Sequence, residues 1–232
     1  MFEPQFVGLF INPFYIARKG LIKNIKPLGK FIYGKTLDVG CGKKPYKNFF
    51  NSEVYIGVDL RTTLHHSGNN IDVYYDGKKL PFNNEQFDSV ITSQVFEHVF
   101  NPDLFLSEIN RVLKNDGYLL ITVPFVWDEH EQPYDYGRYS SFGLKHILNK
   151  YGFVIIKHVK TENNIKTIFQ LLNGYIYKKV FNKKFFIKQI TTLFVMAPIT
   201  IIGILLNVVL PDNDDLYLDN VVLAQKTIKR IN

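Results

Sequence analysis

Short apolar runs recur along the first two thirds of the chain, and each is cut off by a turn signal. Lys35 to Val39 breaks into Gly40-Cys41-Gly42, Tyr55 to Val58 ends in Asp59, and Ile71 to Tyr75 ends in Asp76. Phe87 to Thr92 runs into Ser93 and Gln94, and Tyr118 to Val123 is closed by Pro124 after the turn Leu113 to Gly117. Leu104, Phe105, Ile109, Val112 and Leu113 instead recur at helical spacing, with Asn101-Pro102 as cap and first turn. A second helix is predicted over Phe142 to Lys150, capped by Ser140 and stopped by Gly152, and a sixth strand over Phe153 to Val159. Strands alternating with crossovers predict an α/β, doubly wound sheet. Upstream, residues 2 to 34 fit short helical pieces broken at Pro13 and Pro27, forming a cover packed on the sheet. Pro45 to Asn51 leaves room only for a stunted first helix.

The chemistry-bearing residues gather at the carboxyl ends of these strands, where such sheets bind ligands. The glycines of Gly40-Cys41-Gly42 allow a sharp turn and leave no Cβ between main chain and ligand. Asp59, at the end of the second strand, stands where a carboxylate accepts from both ribose hydroxyls of a nucleoside. The third glycine of a dinucleotide fingerprint is missing, because Lys43 to Tyr46 occupies its place, so no pyrophosphate needs cradling.

The ordered set L-D-V-G-C-G, D, L-P-F, F-D, E-H-V and L-K-x-x-G, from about Lys35 to Phe125, resembles the class I S-adenosylmethionine-dependent methyltransferases. The resemblance implies a seven-stranded Rossmann-like sheet whose last strand, Leu218 to Lys226, is antiparallel, and S-adenosyl-L-methionine as cofactor. It also implies that Asp38, Gly40 and Gly42 line the methionine end, with Cys41 a small filler in the same loop. Asp59 would take the ribose hydroxyls, Leu60 would pack on the adenine, and Asp76, followed by Gly77, would accept from the adenine amino group. Ser93 and Gln94 would close the site, and His98 of the E-H-V segment would pack beside the cofactor.

A hydroxyl acceptor needs a general base, most often histidine. His130 lies in the polar, aromatic loop Trp127 to Tyr139, with Asp135 and Arg138 to orient it or to bind an anionic acceptor. Its order H-x-x-P-x-D-x-x-R looks like that of methyltransferases of polysaccharide assembly. O-methylation of a sugar or lipid-linked glycan precursor at the membrane face is therefore the first expectation. A quinone or other lipophilic small molecule is the second, and a non-catalytic membrane-associated module keeping the fold is the third. Nucleic acid is not expected as a partner, because Thr92-Ser93-Gln94-Val95 lacks the D/N-P-P-Y signature. No metal is expected: adjacent His65 and His66 point to opposite sides of an extended chain, with no accompanying ligand cluster.

With 232 residues, 46% of them hydrophobic, the chain can bury a full core. Its single cysteine excludes an internal disulfide framework, and the start Met1-Phe2-Glu3-Pro4 does not read as a signal peptide, so a cytoplasmic location is expected. A net charge of +7 favours anionic partners such as a membrane surface. Four segments are expected: the cover 1-34, the methyltransferase core 35-162, an insertion 163-215 and the closing strand with tail 216-232. Lysines crowd the first half of the insertion, whereas Gln189 to Leu210 carries no charge. The seventh strand must return to the sheet, and Pro198, Gly203 and Asn207 interrupt the apolar run. Peripheral contact of 163-210 with the inner face of the membrane is expected, with an apolar helix buried in a homodimer or against the domain as the other reading.

Overall fold

A computed structural model describes residues 4–61 and 70–227. The expectation for His65 and His66 lies outside the described residues. Seven strands form one sheet in the order β3-β2-β1-β4-β5-β7-β6. They are β1 (Tyr33–Val39), β2 (Asn51–Leu60), β3 (Val73–Tyr75), β4 (Phe87–Ser93), β5 (Leu113–Pro124), β6 (Phe153–Lys160) and β7 (Asp219–Lys226). The pairs β1–β2, β1–β4, β2–β3 and β4–β5 are parallel. Thr161 N donates to Asp219 O (2.8 Å) while Thr227 N donates to Gly152 O (3.0 Å), so β7 runs antiparallel to β6. Strand order reverses between β1 and β4, and that is where the cleft of a doubly wound sheet opens.

Registers bring the expected ligand residues to one edge. Asp38 is level with Gly57 and Ile91, Asp59 with Tyr74, and Ser93 with Thr122. No full helix follows β1; the chain makes only a 3-10 turn, Lys47–Phe49, as the short spacing predicts.

The chain forms two compact units. One comprises Ile25–Phe125, His130–Val159 and the chain from Asn220. Its core joins Leu37, Val39, Val90, Leu119, Ile121 and Val222 of the sheet to Leu106, Ile109, Val112, Leu144 and Leu148. The last five lie on helices Pro102–Val112 and Ser141–Lys150, and each such side chain contributes about 1.5–3 kcal/mol by leaving water. Both helices start as expected: Asn101 accepts from Leu104 N (3.0 Å), and Ser140 from Gly143 N (3.2 Å).

The other unit comprises residues up to Asn24, Val126–Glu129 and Lys160–Asp219. Here the sequence reading needs correction. The N-terminal segment forms helices α1 (Gly8–Ile11) and α2 (Tyr15–Leu28), and α2 runs through Pro27 because only its last turn loses a donor there. Leu9, Tyr15 and Ile16 pack with Leu171, Ile201 and Ile204 of the insertion. Gln170 fixes the arrangement, accepting from Ala17 N (3.2 Å) and donating to Pro13 O (3.0 Å).

The apolar run is also more continuous than Pro198, Gly203 and Asn207 suggest. Phe185–Val209 is one 25-residue helix of mean hydropathy 2.3, and only 28% of it is buried. A π-turn over Thr192–Met196 absorbs the donor missing at Pro198. Gly203 faces Phe169, whose Cβ would lie 2.8 Å from an added methyl, so glycine permits a close helix crossing instead of a break. Asn173 Nδ2 donates to Thr200 Oγ1 (2.8 Å) across that crossing.

Candidate active site

The loop after β1 is built by main-chain hydrogen bonds. Gly40 N (2.9 Å) and Cys41 N (3.2 Å) both donate to Val58 O, and Gly40 has φ +72°. A Cβ on Gly40 would lie 2.3 Å from Val95 Cγ2, so the position also needs glycine for space. At Gly42 (φ +46°) a Cβ would meet nothing within 4 Å, which leaves an open face beside the main chain. Gly42 N donates to Asp59 Oδ2 (2.9 Å) and Leu60 N to Asp59 Oδ1 (2.8 Å), so the carboxylate is held on both oxygens. Each oxygen keeps a lone pair with which to accept a hydroxyl.

Asp38 is buried and accepts from Tyr55 OH (2.7 Å). Burial pushes its carboxyl up to about 7, against the Tyr55 hydrogen bond and Lys44, and with the help of repulsion from Asp59. Folded Asp38 therefore holds its proton more tightly than an unfolded aspartate does. Its stabilising contribution is complete below about pH 4 and is lost as pH rises through about 7. Asp38→Asn is expected to raise thermal stability near pH 8 and to give no gain near pH 4. Melting curves at both values check this, and a gain of equal size at both would remove the ionisation of Asp38 from the account.

Cys41 is a buried thiol pushed up to about 12 by burial and by neighbouring carboxylates, which suits a filler rather than a nucleophile. Leu60 and Gly77 sit together, with Leu60 Cδ2 3.2 Å from the position of a Gly77 Cβ. Asp76 lies at the end of β3, fully exposed, and its Oδ1 caps a turn by accepting from Lys78 N (2.8 Å) and Lys79 N (3.2 Å). Ser93 Oγ pairs with Thr122 Oγ1 (2.7 Å), and Gln94, at φ +56°, donates through Nε2 to the same hydroxyl (3.2 Å). Sequence reasoning missed Tyr55, which reaches Asp38, and Asp72, which accepts from Gly57 N (2.6 Å) and Lys44. Neither has a motif; the pairing of β1 with β2 places Tyr55, and that of β2 with β3 places Asp72.

The second group follows from the exit of β4. A 3-10 turn, Phe96–His98, carries Glu97 and His98. Tyr136 N (2.8 Å) and Gly137 N (3.2 Å) donate to Glu97 O and hold the loop after β5 against that turn. The rings of His98 and His130 are 4.8 Å apart, edge to face. His98 Nδ1 lies 2.7 Å from Tyr134 O of the loop after β5. Asp135 accepts from His130 N (2.9 Å) and lies 3.2 Å from His130 Nδ1. Arg138 grips Asp135 with two bonds of 2.5 and 2.6 Å. Burial raises Asp135, but the bonds from Arg138 and His130 N outweigh it and hold the carboxyl below its ordinary range. Arg138 thus binds Asp135 through both Nη atoms.

The profile of a family described as a methyltransferase domain matches residues 37–121. A Methanocaldococcus jannaschii protein, MJ1252, described as uncharacterised, is 31% identical over 115 residues, covering 49% of this chain and 44% of that protein. A fatty-acid O-methyltransferase of Mycolicibacterium smegmatis is 30% identical over 99 residues, 38% of this chain and 36% of that enzyme. The chain thus spans about half, or less, of the curated relatives it matches. Among solved structures, the [4+2]-cyclase SpnF superposes with a TM-score of 0.60 at 16% identity, covering 91% of this chain and 83% of that one. Phosphoethanolamine N-methyltransferase 2 of Haemonchus contortus, in complex with S-adenosyl-L-methionine, superposes at 0.57 and 21% identity, covering 95% and 55%. Both structures share the fold.

Proposed function

We propose that this protein transfers a methyl group from S-adenosyl-L-methionine to a hydroxyl oxygen of a lipid-linked sugar at a membrane face. The observation that carries the reading is the pairing of two groups at one sheet edge: the Asp38–Asp59 loop system and the His130–Asp135–Arg138 array. The residues fit the cofactor. Asp59 offers two oriented oxygens to ribose hydroxyls, the open face at Gly42 admits a ligand against main chain, and buried Asp38 suits a cationic ligand group. Leu60 beside Gly77 offers an apolar wall to a base. Bound there, S-adenosyl-L-methionine supplies an electrophilic methyl carbon.

The protein's own task is to make the acceptor oxygen nucleophilic. Asp135 fixes the proton of His130 on Nδ1 and leaves Nε2 as the acceptor of the hydroxyl proton. Arg138 keeps Asp135 ionised, and Asp135 in turn stabilises the imidazolium that forms. Exposed Tyr134 and Tyr136, on the same loop, offer flat apolar faces of the kind that sugars stack on. A lipophilic small acceptor is the second reading, favoured by the fatty-acid O-methyltransferase among the relatives. Incubation with methyl-labelled S-adenosylmethionine and membrane lipid extract separates them. Label in the sugar released by mild acid supports the first reading, and label retained in the lipid supports the second. No S-adenosylhomocysteine from any fraction would contradict both.

The membrane part of the proposal rests on the insertion. Phe186 (70% exposed), Phe194 (70%) and Val208 (81%) present apolar surface on the helix Phe185–Val209. Lys178, Lys179, Lys183, Lys184 and Lys188 lie in or just before it, each worth about 1 kcal/mol near an anionic leaflet. Both ends of the insertion return to adjacent strands, so any crossings must be even in number. The chain is expected to sediment with anionic liposomes at low salt and to be released at high salt or by Phe194→Glu combined with Val208→Glu. Equal recovery with neutral vesicles would remove the lysines from the docking, and no recovery with either would remove the membrane from the proposal.

A further inference from the structure

We propose that Glu97, His98 and His130 form a binding site for one divalent transition-metal ion of the zinc type. One ligand atom from each of the three lies within 4.8 Å of the other two. His98 Nε2 is 3.8 Å, and His130 Nε2 3.9 Å, from Glu97 Oε1. Glu131 Oε2 stands 3.8 Å from His98 Nε2, outside this set of three. Tetrahedral zinc, with bonds of about 2.0–2.1 Å, sets its ligand atoms about 3.4 Å apart. The two edges to Glu97 need a contraction of roughly half an ångström, and the edge between the imidazoles, within 4.8 Å, has the most to close.

The surroundings of the imidazoles carry the argument further. A carbonyl only accepts, so Tyr134 O, 2.7 Å from His98 Nδ1, places the ring proton on Nδ1 and the lone pair on Nε2. Asp135 Oδ2, at 3.2 Å from His130 Nδ1 and nearer than Arg138 Nη2 at 3.5 Å, favours the same tautomer for the second ring. Both lone pairs are thereby directed toward one carboxylate, Glu97, whose side chain is 0% exposed. An imidazole lone pair held by a carbonyl or carboxylate on its other nitrogen is the usual arrangement around bound metal. Two nitrogens with carboxylate oxygen suit zinc, cobalt, manganese or iron better than calcium or magnesium.

Three protein ligands leave a coordination position for water or an acceptor oxygen. Where the methyl-transfer reading holds, an ion there would lower the pKa of the acceptor hydroxyl, and His130 would act as ligand in place of base. That consequence rests on the proposed function; metal binding itself does not.

The test uses the untagged, chelator-treated full chain titrated with Co²⁺ alone, followed by its visible ligand-field absorption and by equilibrium dialysis, then displaced by Zn²⁺. One Co²⁺ per chain with a tetrahedral-type band is expected in the wild type. Glu97→Gln and His98→Ala should abolish the band, and Asp135→Asn should weaken affinity roughly 10–100-fold. No bound Co²⁺ in the wild type would overturn the site, as would binding that both ligand variants leave unchanged. If Glu97→Gln fails to fold, His98→Ala, at a partly exposed position, decides alone. Calorimetry of S-adenosylmethionine on the same metal-stripped protein keeps failure of this site separate from failure of the cofactor reading.

Discussion

His130→Ala is expected to lower turnover on the order of 10²–10⁴-fold while leaving the affinity for S-adenosylmethionine unchanged. The size follows from what the ring does: without Nε2, the acceptor hydroxyl has no positioned group to make it nucleophilic. Cofactor affinity should not move, because Asp135, Arg138, Glu97 and His98, which His130 contacts, all lie outside the loop after β1. Initial rates of S-adenosylhomocysteine release with the true acceptor, beside calorimetry of the cofactor, check both halves. An unchanged rate would remove His130 from the mechanism. Equal loss of rate and of cofactor affinity would make its role structural.

Asp59→Ala is expected to weaken cofactor binding by about 1.5–3 kcal/mol, roughly 10–150-fold, the worth of hydrogen bonds to a charged group. Two effects add in the same direction. The ribose acceptors disappear, and Gly42 N loses the carboxylate that fixes the loop. Asp59→Asn separates them, since its amide oxygen can hold one of the two donors and should recover part of the loss. Competition binding with S-adenosylhomocysteine gives the numbers, and an affinity within twofold of wild type in Asp59→Ala would move the ribose contact elsewhere.

Legibility in the sequence followed the range of the interactions. Strand β4 occupies Phe87–Ser93 as its apolar alternation predicts, and both helix caps are found at Asn101 and Ser140, because these signals act within a few residues. Strand β2 starts at Asn51, well before the apolar run, because Tyr33 and Gly34 pair with the polar Asn51 and Ser52. Helix α2 and the helix Phe185–Val209 survive their prolines for the same reason: lost donors near an end or at a π-turn cost less than the burial of a continuous apolar face. The contact of Gly42 with Asp59 follows from the ends of two adjacent parallel strands, β1 and β2. The meeting of Glu97, His98 and His130 was not readable, since it depends on Tyr136 N and Gly137 N reaching Glu97 O from a loop after a different strand. Arg138 was placed in the right loop, but only the bidentate geometry shows that it holds Asp135.

Everything proposed for catalysis presupposes that the carboxyl edge of β1 and β2 holds the methyl donor. Isothermal calorimetry of S-adenosylmethionine into the full chain tests this most directly. The predicted result is saturable binding of one molecule per chain, shared by S-adenosylhomocysteine and lost or strongly weakened in Asp59→Ala. Absence of heat and of competition in a folded wild-type protein would contradict it.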